Sequence, residues 1–316
     1  MSGSERLAGA TPEIPPEITA RPTDRQRATA KRTRATIRRR TFVNGTMIGL
    51  LALSAVIATL PLVLILFHLF KVGASSMNVD FFTQNPKPVG EIGGGMANSI
   101  IGTLILVALG STLGLPVGIG AGLFLVERNG TRLATVVRFL ADVLNGLPSI
   151  VMGIFAWNFL VRPIGHFSAL AGGIALGAMM IPMVTRTTEE IVRLVPVSLR
   201  EASLALGYSR ARTSLTIVLR TAMAGIVTGA LVAVARVAGE TAPLLFTAFG
   251  NQFASMALDR PIAALPLQIY TYAVSPYDDW HAQAWTGALV LIVLVLAISL
   301  AARAATRSRF VVRGAE

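Results

Sequence analysis

The sequence contains no cysteine and only three histidines, at positions 68, 166 and 281. The missing thiols exclude disulfides, thiolate metal sites and thiol catalysis, and the scattered histidines form no metal-ligand cluster. Charge is also scarce, because only 14% of the residues are Asp, Glu, Lys or Arg, whereas soluble proteins carry about 25%. Hydrophobic residues make up 53% of the chain. These proportions are typical of a protein that crosses a membrane several times.

Catalytic motifs are missing as well. The sequence has no G-x-x-x-x-G-K-[ST] phosphate-binding loop, so we do not expect this chain to hydrolyse ATP. It shows no Ser–His–Asp set, no paired catalytic carboxylates and no metal cluster. A membrane enzyme is therefore a poorly supported interpretation.

Six apolar segments approach or exceed the ~20 residues that cross a bilayer. We therefore predict an all-α, polytopic membrane protein with six transmembrane helices. A further apolar stretch, Pro261–Val274, is short and proline-containing, which favours a re-entrant or interfacial piece. The predicted spans are about Phe42–Phe70, Ala97–Val126, Phe139–Leu160, Ala169–Val184, a span starting at Thr221, and Ala284–Ala302.

The basic residues concentrate in the segments of one side. Segments 21–40, 127–138, 186–220 and 303–313 hold nine, three, six and four Lys or Arg. The segments of the other side hold two in 71–97, one at position 162 and one at position 260. Cytoplasmic loops carry such an excess, so both termini are predicted to be cytoplasmic. The net charge of +12 then indicates contact with membrane lipid and not with nucleic acid.

The chain is predicted to have two parts. Residues 1–40 are rich in Pro, Thr, Ala and Arg and should form a disordered, basic cytoplasmic tail. That tail fits a membrane anchor, with a regulatory or anionic-lipid contact as the alternative. Residues 41–316 should form the transmembrane domain, with a cytoplasmic loop at about 186–220.

Two charges stand inside the fifth apolar segment. Arg236 and Glu240 are the only charged residues between Thr221 and Gly250. Positions i and i+4 share a helix face, so the two side chains should touch. A lone charge at bilayer depth costs from ~2.5 to over 10 kcal/mol, and a pair kept there indicates a polar pathway.

The predicted cytoplasmic loop contains a patterned helix. Leu199, Ala202 and Leu206, with or without Ser203, share one stripe, and Gly207 should end the helix. From periodicity, docking into a partner protein and lying on the membrane surface are equally good interpretations. The order Glu201-Ala202-Ser203, Gly207, Ile217 and Leu219 resembles the EAA loop of ATP-binding-cassette importer permeases. This chain departs from that pattern at Ser203 and at Arg220, where the family has Ala and Pro.

The segments REASLALGYSRARTSLTIVL and GETAPLLFTA are similar to those of the PstA-type permeases of bacterial phosphate importers. This resemblance covers about residues 41–310 and implies the type I importer permease fold. It also implies a location in the bacterial cell membrane. The implied partners are a PstC-like sister permease, two copies of a PstB-like ATPase and a PstS-like extracytoplasmic phosphate-binding protein. No cofactor is expected on this chain, because ATP and Mg would be bound by the ATPase.

The resemblance implies roles for named residues. Glu201, Ala202, Ser203, Leu206 and Gly207 would couple the chain to the ATPase.

A second group, Arg236, Glu240, Arg186 and Thr241, would line the phosphate pathway. Arginine suits phosphate oxygens; for Arg186, an ordinary cytoplasmic-end arginine is equally plausible. Glu240 has three interpretations: a partner for Arg236, a proton acceptor from hydrogen phosphate, or a carboxylate at the outer helix end. Pro243 should either open the helix or mark a helix end at the outer interface. We assign Asp142, in the third span, a role in packing or at an interface.

Two other functions stay open. An importer permease for another oxyanion, such as sulfate, molybdate or phosphonate, would share these features because much selectivity lies in the binding protein. A stand-alone secondary transporter or channel would show a self-contained pathway or an internal repeat, and the EAA-like loop argues against it.

Overall fold

The computed structural model describes residues 24–89, 91 and 93–310. The chain divides into two compact units, residues 1–65 and 66–316. The described helices are α1 Asp24–Ser75, α2 Val79–Thr83, α3 Ala97–Glu127, α4 Arg132–Gly146, α5 Ser149–Ala156, α6 Arg162–Ile164, α7 Ala169–Arg193, α8 Val197–Ala205, α9 Arg210–Arg212, α10 Leu219–Ala238, α11 Ala242–Thr247, α12 Leu265–Ala273 and α13 Asp278–Phe310. Two π-helical turns, Trp157–Val161 and Thr213–Val218, join α5 to α6 and α9 to α10.

Five helical segments of the described residues are long and apolar enough to cross a membrane, and a bent helix pair makes a sixth candidate. The all-α, multi-span fold is therefore confirmed. The five segments are Arg39–Ser75, Ala97–Glu127, Ala169–Arg193, Arg210–Ala238 and Asp278–Ala304.

The third predicted span is not one straight helix. Segments Arg132–Gly146 and Ser149–Ile164 meet at an angle of 107°. Leu147, between them, has an extended backbone with ψ of 138°, because the ring of the following Pro148 disfavours helical geometry there. The prediction of a continuous helix over Phe139–Leu160 was wrong for this reason.

The predicted N-terminal boundary also differs. Helix α1 begins at Asp24, so residues 24–40, expected to be disordered, are helical. Residues 1–23 of the predicted tail lie outside the described residues. The cytoplasmic placement of the tail stays a prediction.

Helices α3 and α7 pack along a row of glycines. A Cβ on Gly114 would lie 2.7 Å from the Cβ of Met180, and one on Gly118 would lie 2.7 Å from that of Val184. The contacts advance together along both helices, so α3 and α7 run in the same direction. Small residues allow such close approach between membrane helices.

Helix α10 runs the opposite way against α7. A Cβ on Gly229 would meet the side chain of Thr187, and one on Gly225 would meet Ile191 at 2.7 Å. The second and fourth predicted spans, α3 and α7, therefore cross in the same direction, and the fifth, α10, crosses in the opposite direction. This agrees with spans that cross the membrane in alternating directions.

Candidate translocation site

The chain breaks its helix two residues after Arg236. Helix α10 ends at Ala238, and the amide of Gly239 donates to the carbonyl of Arg236 (N···O 3.2 Å). Glu240 therefore lies outside the helix, which corrects the assumption that both charges belong to one continuous helix. The next helix, α11, starts at Ala242 with Pro243 in its first turn. Pro is accepted there because the first turn needs no amide donor. The helix therefore breaks before Pro243, between Ala238 and Ala242.

Arg236 and Glu240 still lie near one another. The Arg236 Nε and Glu240 Oε1 atoms are 3.9 Å apart, and the side chains are 61% and 19% exposed, respectively. That separation is too long for a hydrogen bond, so the contact is electrostatic. In this chain the guanidinium retains donors that can bind another group.

The two sides of the helix break differ in their surroundings. Val237 and Ala238 are buried in a hydrophobic core cluster with Leu244. On the other side, Arg236 is exposed together with Val232, one turn earlier. Broken backbone at membrane depth is tolerated where protein buries it or where it lines a cavity. The chain buries one side of this break and leaves the arginine side uncovered.

The segment that follows the break folds back against the rest of the second unit. Thr241 Oγ1 donates to the Pro266 carbonyl (3.4 Å), and the amide of Leu265 donates to the Thr103 hydroxyl (2.8 Å). Thr241 is therefore tied to the segment containing α12. The interfacial or re-entrant assignment of this stretch agrees with its nine-residue helix, Leu265–Ala273.

Arg186 lies in a different environment. Its Nη1 donates to Glu189 Oε2 (2.7 Å), and its Nε lies 3.0 Å from Asp142 Oδ1. Because Thr187 faces Gly229 of α10, Arg186 lies about 10 Å along the helix axis from the level of Arg236. The structure therefore does not bring the two predicted pathway arginines together.

Glu189 is the centre of a charge cluster that the sequence analysis missed. Its side chain is 1% exposed and pairs with Arg138 (2.6 Å), with Arg186 and with Arg193. A buried carboxylate requires such pairing. The spacing offered a signal, since Arg186 and Arg193 flank Glu189 at i−3 and i+4 on α7. The contact with Arg138 on α4 was not readable from spacing.

The predicted coupling segment forms helix α8. Gly207 follows it with a positive φ of 83°, and its amide donates to the Leu204 carbonyl (2.9 Å). Glycine adopts this left-handed conformation without a Cβ clash. The predicted helix stop at Gly207 is confirmed.

The structure of α8 decides the position of Ser203, which the predicted stripe left open. Ser203 is 5% exposed, and its hydroxyl lies 2.9 Å from that of Thr213. It therefore packs inward and does not belong to an outward stripe, because its hydroxyl finds a partner within the chain. Leu206 is 78% exposed, and Glu201 and Ala202 are also exposed. Arg200 donates to Glu127 at the end of α3 (2.6 Å), which ties α8 to a membrane-spanning helix.

Comparison with known proteins gives consistent results. Residues 114–310 match the family described as binding-protein-dependent transport system inner membrane component. The chain is 44% identical over 261 residues to "Phosphate transport system permease protein PstA" of Haemophilus influenzae, covering 82% of this chain and 92% of that protein. It is 37% identical over 254 residues to "Phosphate transport system permease protein PstA 1" of Mycobacterium tuberculosis, covering 79% and 82%.

A further relative is "Probable phosphate transport system permease protein PstA" of Methanocaldococcus jannaschii, which is 39% identical over 68% of this chain and 76% of its own length. Among solved structures, the inward-facing MetNI methionine ABC transporter superposes with a TM-score of 0.56 at 20% identity, covering 67% of this chain and 96% of that chain. This structural likeness establishes the permease fold.

Proposed function

The chain belongs to the binding-protein-dependent transport system inner membrane components, and from this membership we propose that it is the transmembrane permease subunit of an ATP-driven phosphate importer. The observation that carries the proposal is its 37–44% identity to permeases named for phosphate transport in three distant organisms. The chain is a multi-pass membrane subunit of a transporter and not an enzyme. It is located in the cell membrane.

Arg236 is the residue that we assign to phosphate binding. Its guanidinium is exposed and not hydrogen-bonded to Glu240, and its planar donors match phosphate oxygens. The arginine lies on a face that the chain does not cover. A second permease subunit packed against this face would enclose the arginine and complete a pathway between the two subunits.

Glu240 acts on Arg236. At 3.9 Å, the carboxylate offsets the charge of Arg236 when no anion is bound, and a phosphate that enters displaces this weak contact. Thr241 stabilises the break through its bond to Pro266. Arg186 is held by Glu189 and Asp142, which supports a role in fixing the inner end of the pathway more than a direct role in binding phosphate.

Coupling to ATP hydrolysis is assigned to α8 and the residues around it. Exposed Leu206, with Glu201 and Ala202, offers a surface for the ATPase, while Gly207 sets the end of the helix. Ser203 acts from inside by holding α8 against Thr213. The bond from Arg200 to Glu127 would transmit a displacement of α8 to α3.

The finer composition of the complex is part of this proposal. The sister permease would be PstC-like, the ATPase would be two PstB-like copies, and the extracytoplasmic binding protein would be PstS-like. This chain would bind no cofactor, and ATP and Mg would enter through the ATPase. Membership in a binding-protein-dependent family supports an assembly of this kind.

The proposal is tested by reconstituting the complete transporter with Arg236→Gln in this chain. We expect phosphate uptake to be abolished while the subunits still assemble, because the side chain is exposed and uninvolved in packing. Val232→Ala, on the same exposed face, is the matched control and should retain uptake. Normal phosphate uptake by the assembled Arg236→Gln transporter would contradict the role of the arginine. Transport of sulfate or molybdate in preference to phosphate by the unmodified complex would contradict the substrate.

A further inference from the structure

A cavity lies between the end of α3 and the start of α9, at the level where both helical spans leave the predicted membrane. Its volume is about 460 Å³, which is within the ~300–1,000 Å³ of ligand pockets. Its lining residues are of two kinds, which we call the apolar wall and the charged wall. The apolar wall contains Gly120, Leu123, Phe124 and Leu215, and the charged wall contains Arg128 and Arg210.

The charged wall carries excess positive charge. Glu127, which also borders the cavity, is already bonded to Arg200 (2.6 Å). Within the described part of the chain, neither Arg128 nor Arg210 is paired with a carboxylate. Two guanidinium groups thus face a cavity whose one acidic group is neutralised. An anion with several oxygen acceptors fits this wall.

The apolar wall narrows the class of anion. A free inorganic anion gains nothing from Leu123, Phe124 or a bare glycine. A phospholipid, in contrast, places a charged phosphodiester beside glycerol and acyl methylenes, which bury apolar area. The cavity also lies at the predicted cytoplasmic side of the membrane. Anionic lipids are concentrated in that leaflet, and basic pockets between membrane helices bind their headgroups.

We propose that this cavity binds the headgroup of an anionic phospholipid, with Arg128 and Arg210 holding the phosphodiester and with Leu123 and Phe124 holding the first methylenes. This site is separate from the proposed phosphate pathway and does not depend on which substrate is transported.

The test measures lipid binding to the assembled transporter, purified in mild detergent, by native mass spectrometry with added phosphatidylglycerol or phosphatidylcholine. We expect phosphatidylglycerol to bind preferentially. The double variant Arg128→Gln with Arg210→Gln should bind it about 30-fold more weakly. Each arginine near a membrane surface contributes about 1 kcal/mol to the free energy of lipid binding, and two such losses correspond to that factor.

The matched control is Arg212→Gln. Arg212 is in the same short helix as Arg210, but its guanidinium lies over the Tyr208 ring, 4.6 Å from the centroid, and does not line the cavity. Its substitution should change the affinity for phosphatidylglycerol by no more than about threefold. An equal loss in Arg212→Gln and in the double variant would mean diffuse attraction and would overturn the site.

A second variant separates lipid from free phosphate. No atom lies within 4 Å of a Cβ built on Gly120, so Gly120→Leu should fold normally and fill the apolar half of the cavity. It should weaken phosphatidylglycerol binding about tenfold, the expected effect of losing contacts of two methylene groups, with both arginines intact.

Three further results would overturn the proposal. One is unchanged phosphatidylglycerol binding in the double variant. Another is unchanged lipid binding in Gly120→Leu together with displacement of the lipid by millimolar inorganic phosphate, which would identify a site for the free anion. The third is loss of the ATPase from the double variant with lipid binding retained, which would make the cavity part of the ATPase contact.

Discussion

Two arginine–glutamate clusters of this chain have almost the same sequence spacing and different structures. Arg186 and Arg193 flank Glu189 on α7, and the carboxylate is 1% exposed and bonded to both, as well as to Arg138. Arg236 and Glu240 are also four residues apart, like Glu189 and Arg193. The Arg236 Nε and Glu240 Oε1 atoms are nevertheless 3.9 Å apart, and the Arg236 side chain is 61% exposed.

The two clusters differ in whether this chain alone supplies the hydrogen-bonding partners of the charged groups. The cluster at Glu189 is complete in this sense, and the cluster at Arg236 is not. Around Glu189, donors of this chain saturate the carboxylate, so the cluster can hold α4 against α7 without any other subunit. Around Arg236, the donors of the guanidinium have no bonded acceptor at Glu240, and the face is uncovered. We infer that the first cluster serves the structure of the permease and that the second serves the pathway shared with a partner.

The largest effect on folding should come from Glu189→Gln. This change leaves three arginines around a buried site without their anion, and breaking a buried ion pair from one side costs about 3–5 kcal/mol. Thermal unfolding of the purified chain in detergent should show the loss. Glu190→Gln, the exposed neighbour on α7, is the control and should unfold like the unmodified chain. Equal stability of the two variants would contradict the completed cluster.

A smaller loss is expected for Arg186→Gln. It removes one charged hydrogen bond to a buried carboxylate, worth about 1.5–3 kcal/mol, and leaves two arginines on Glu189. Uptake by the reconstituted transporter should fall only as far as the amount of folded protein falls. Complete loss of uptake by a stable Arg186→Gln transporter would instead place this arginine in the phosphate pathway, as the sequence interpretation first allowed.

The smallest effect on folding should come from Glu240→Gln. The contact with Arg236 is long and partly exposed, and surface changes of this kind stay within about 0.5 kcal/mol. Its unfolding temperature in detergent should match that of the unmodified chain. A loss comparable to that of Glu189→Gln would show that the Arg236–Glu240 pair is structural and would remove the contrast between the clusters.

Much of the fold was predictable from the sequence because membrane helices are long, apolar and locally determined. The glycines of α3, the stop at Gly207 and the break before Pro243 follow from local rules of backbone and packing. The bend at Leu147–Pro148 was missed because apolar composition continues through it. The helix over residues 24–40 was missed because disorder was predicted from their charged, polar composition. That composition does not exclude a helix that continues into an apolar helix.

The candidate site was predictable only in part. Their spacing predicts that Arg236 and Glu240 lie near one another, but it does not predict that the helix ends between them. Their exposure depends on which faces the rest of the chain covers. Periodicity leaves the position of Ser203 open, because it does not reveal the bond with Thr213, ten residues further on. The cluster at Glu189 needed Arg138, 51 residues away, and no rule of spacing predicts that contact.

The central claim is that the face carrying Arg236 lines a water-accessible pathway between two permease subunits. Because this chain has no cysteine, Val232→Cys provides a reporter one turn from Arg236, and Val234→Cys, which is 8% exposed, provides the buried control. The measurement is the rate of reaction with a water-soluble thiol reagent in the assembled transporter whose other subunits carry no cysteine. We predict that Cys at position 232 reacts, that phosphate slows the reaction, and that Cys at position 234 does not react. A position 232 that stays unreactive in the assembled transporter, or reacts at a rate independent of phosphate, would contradict the claim.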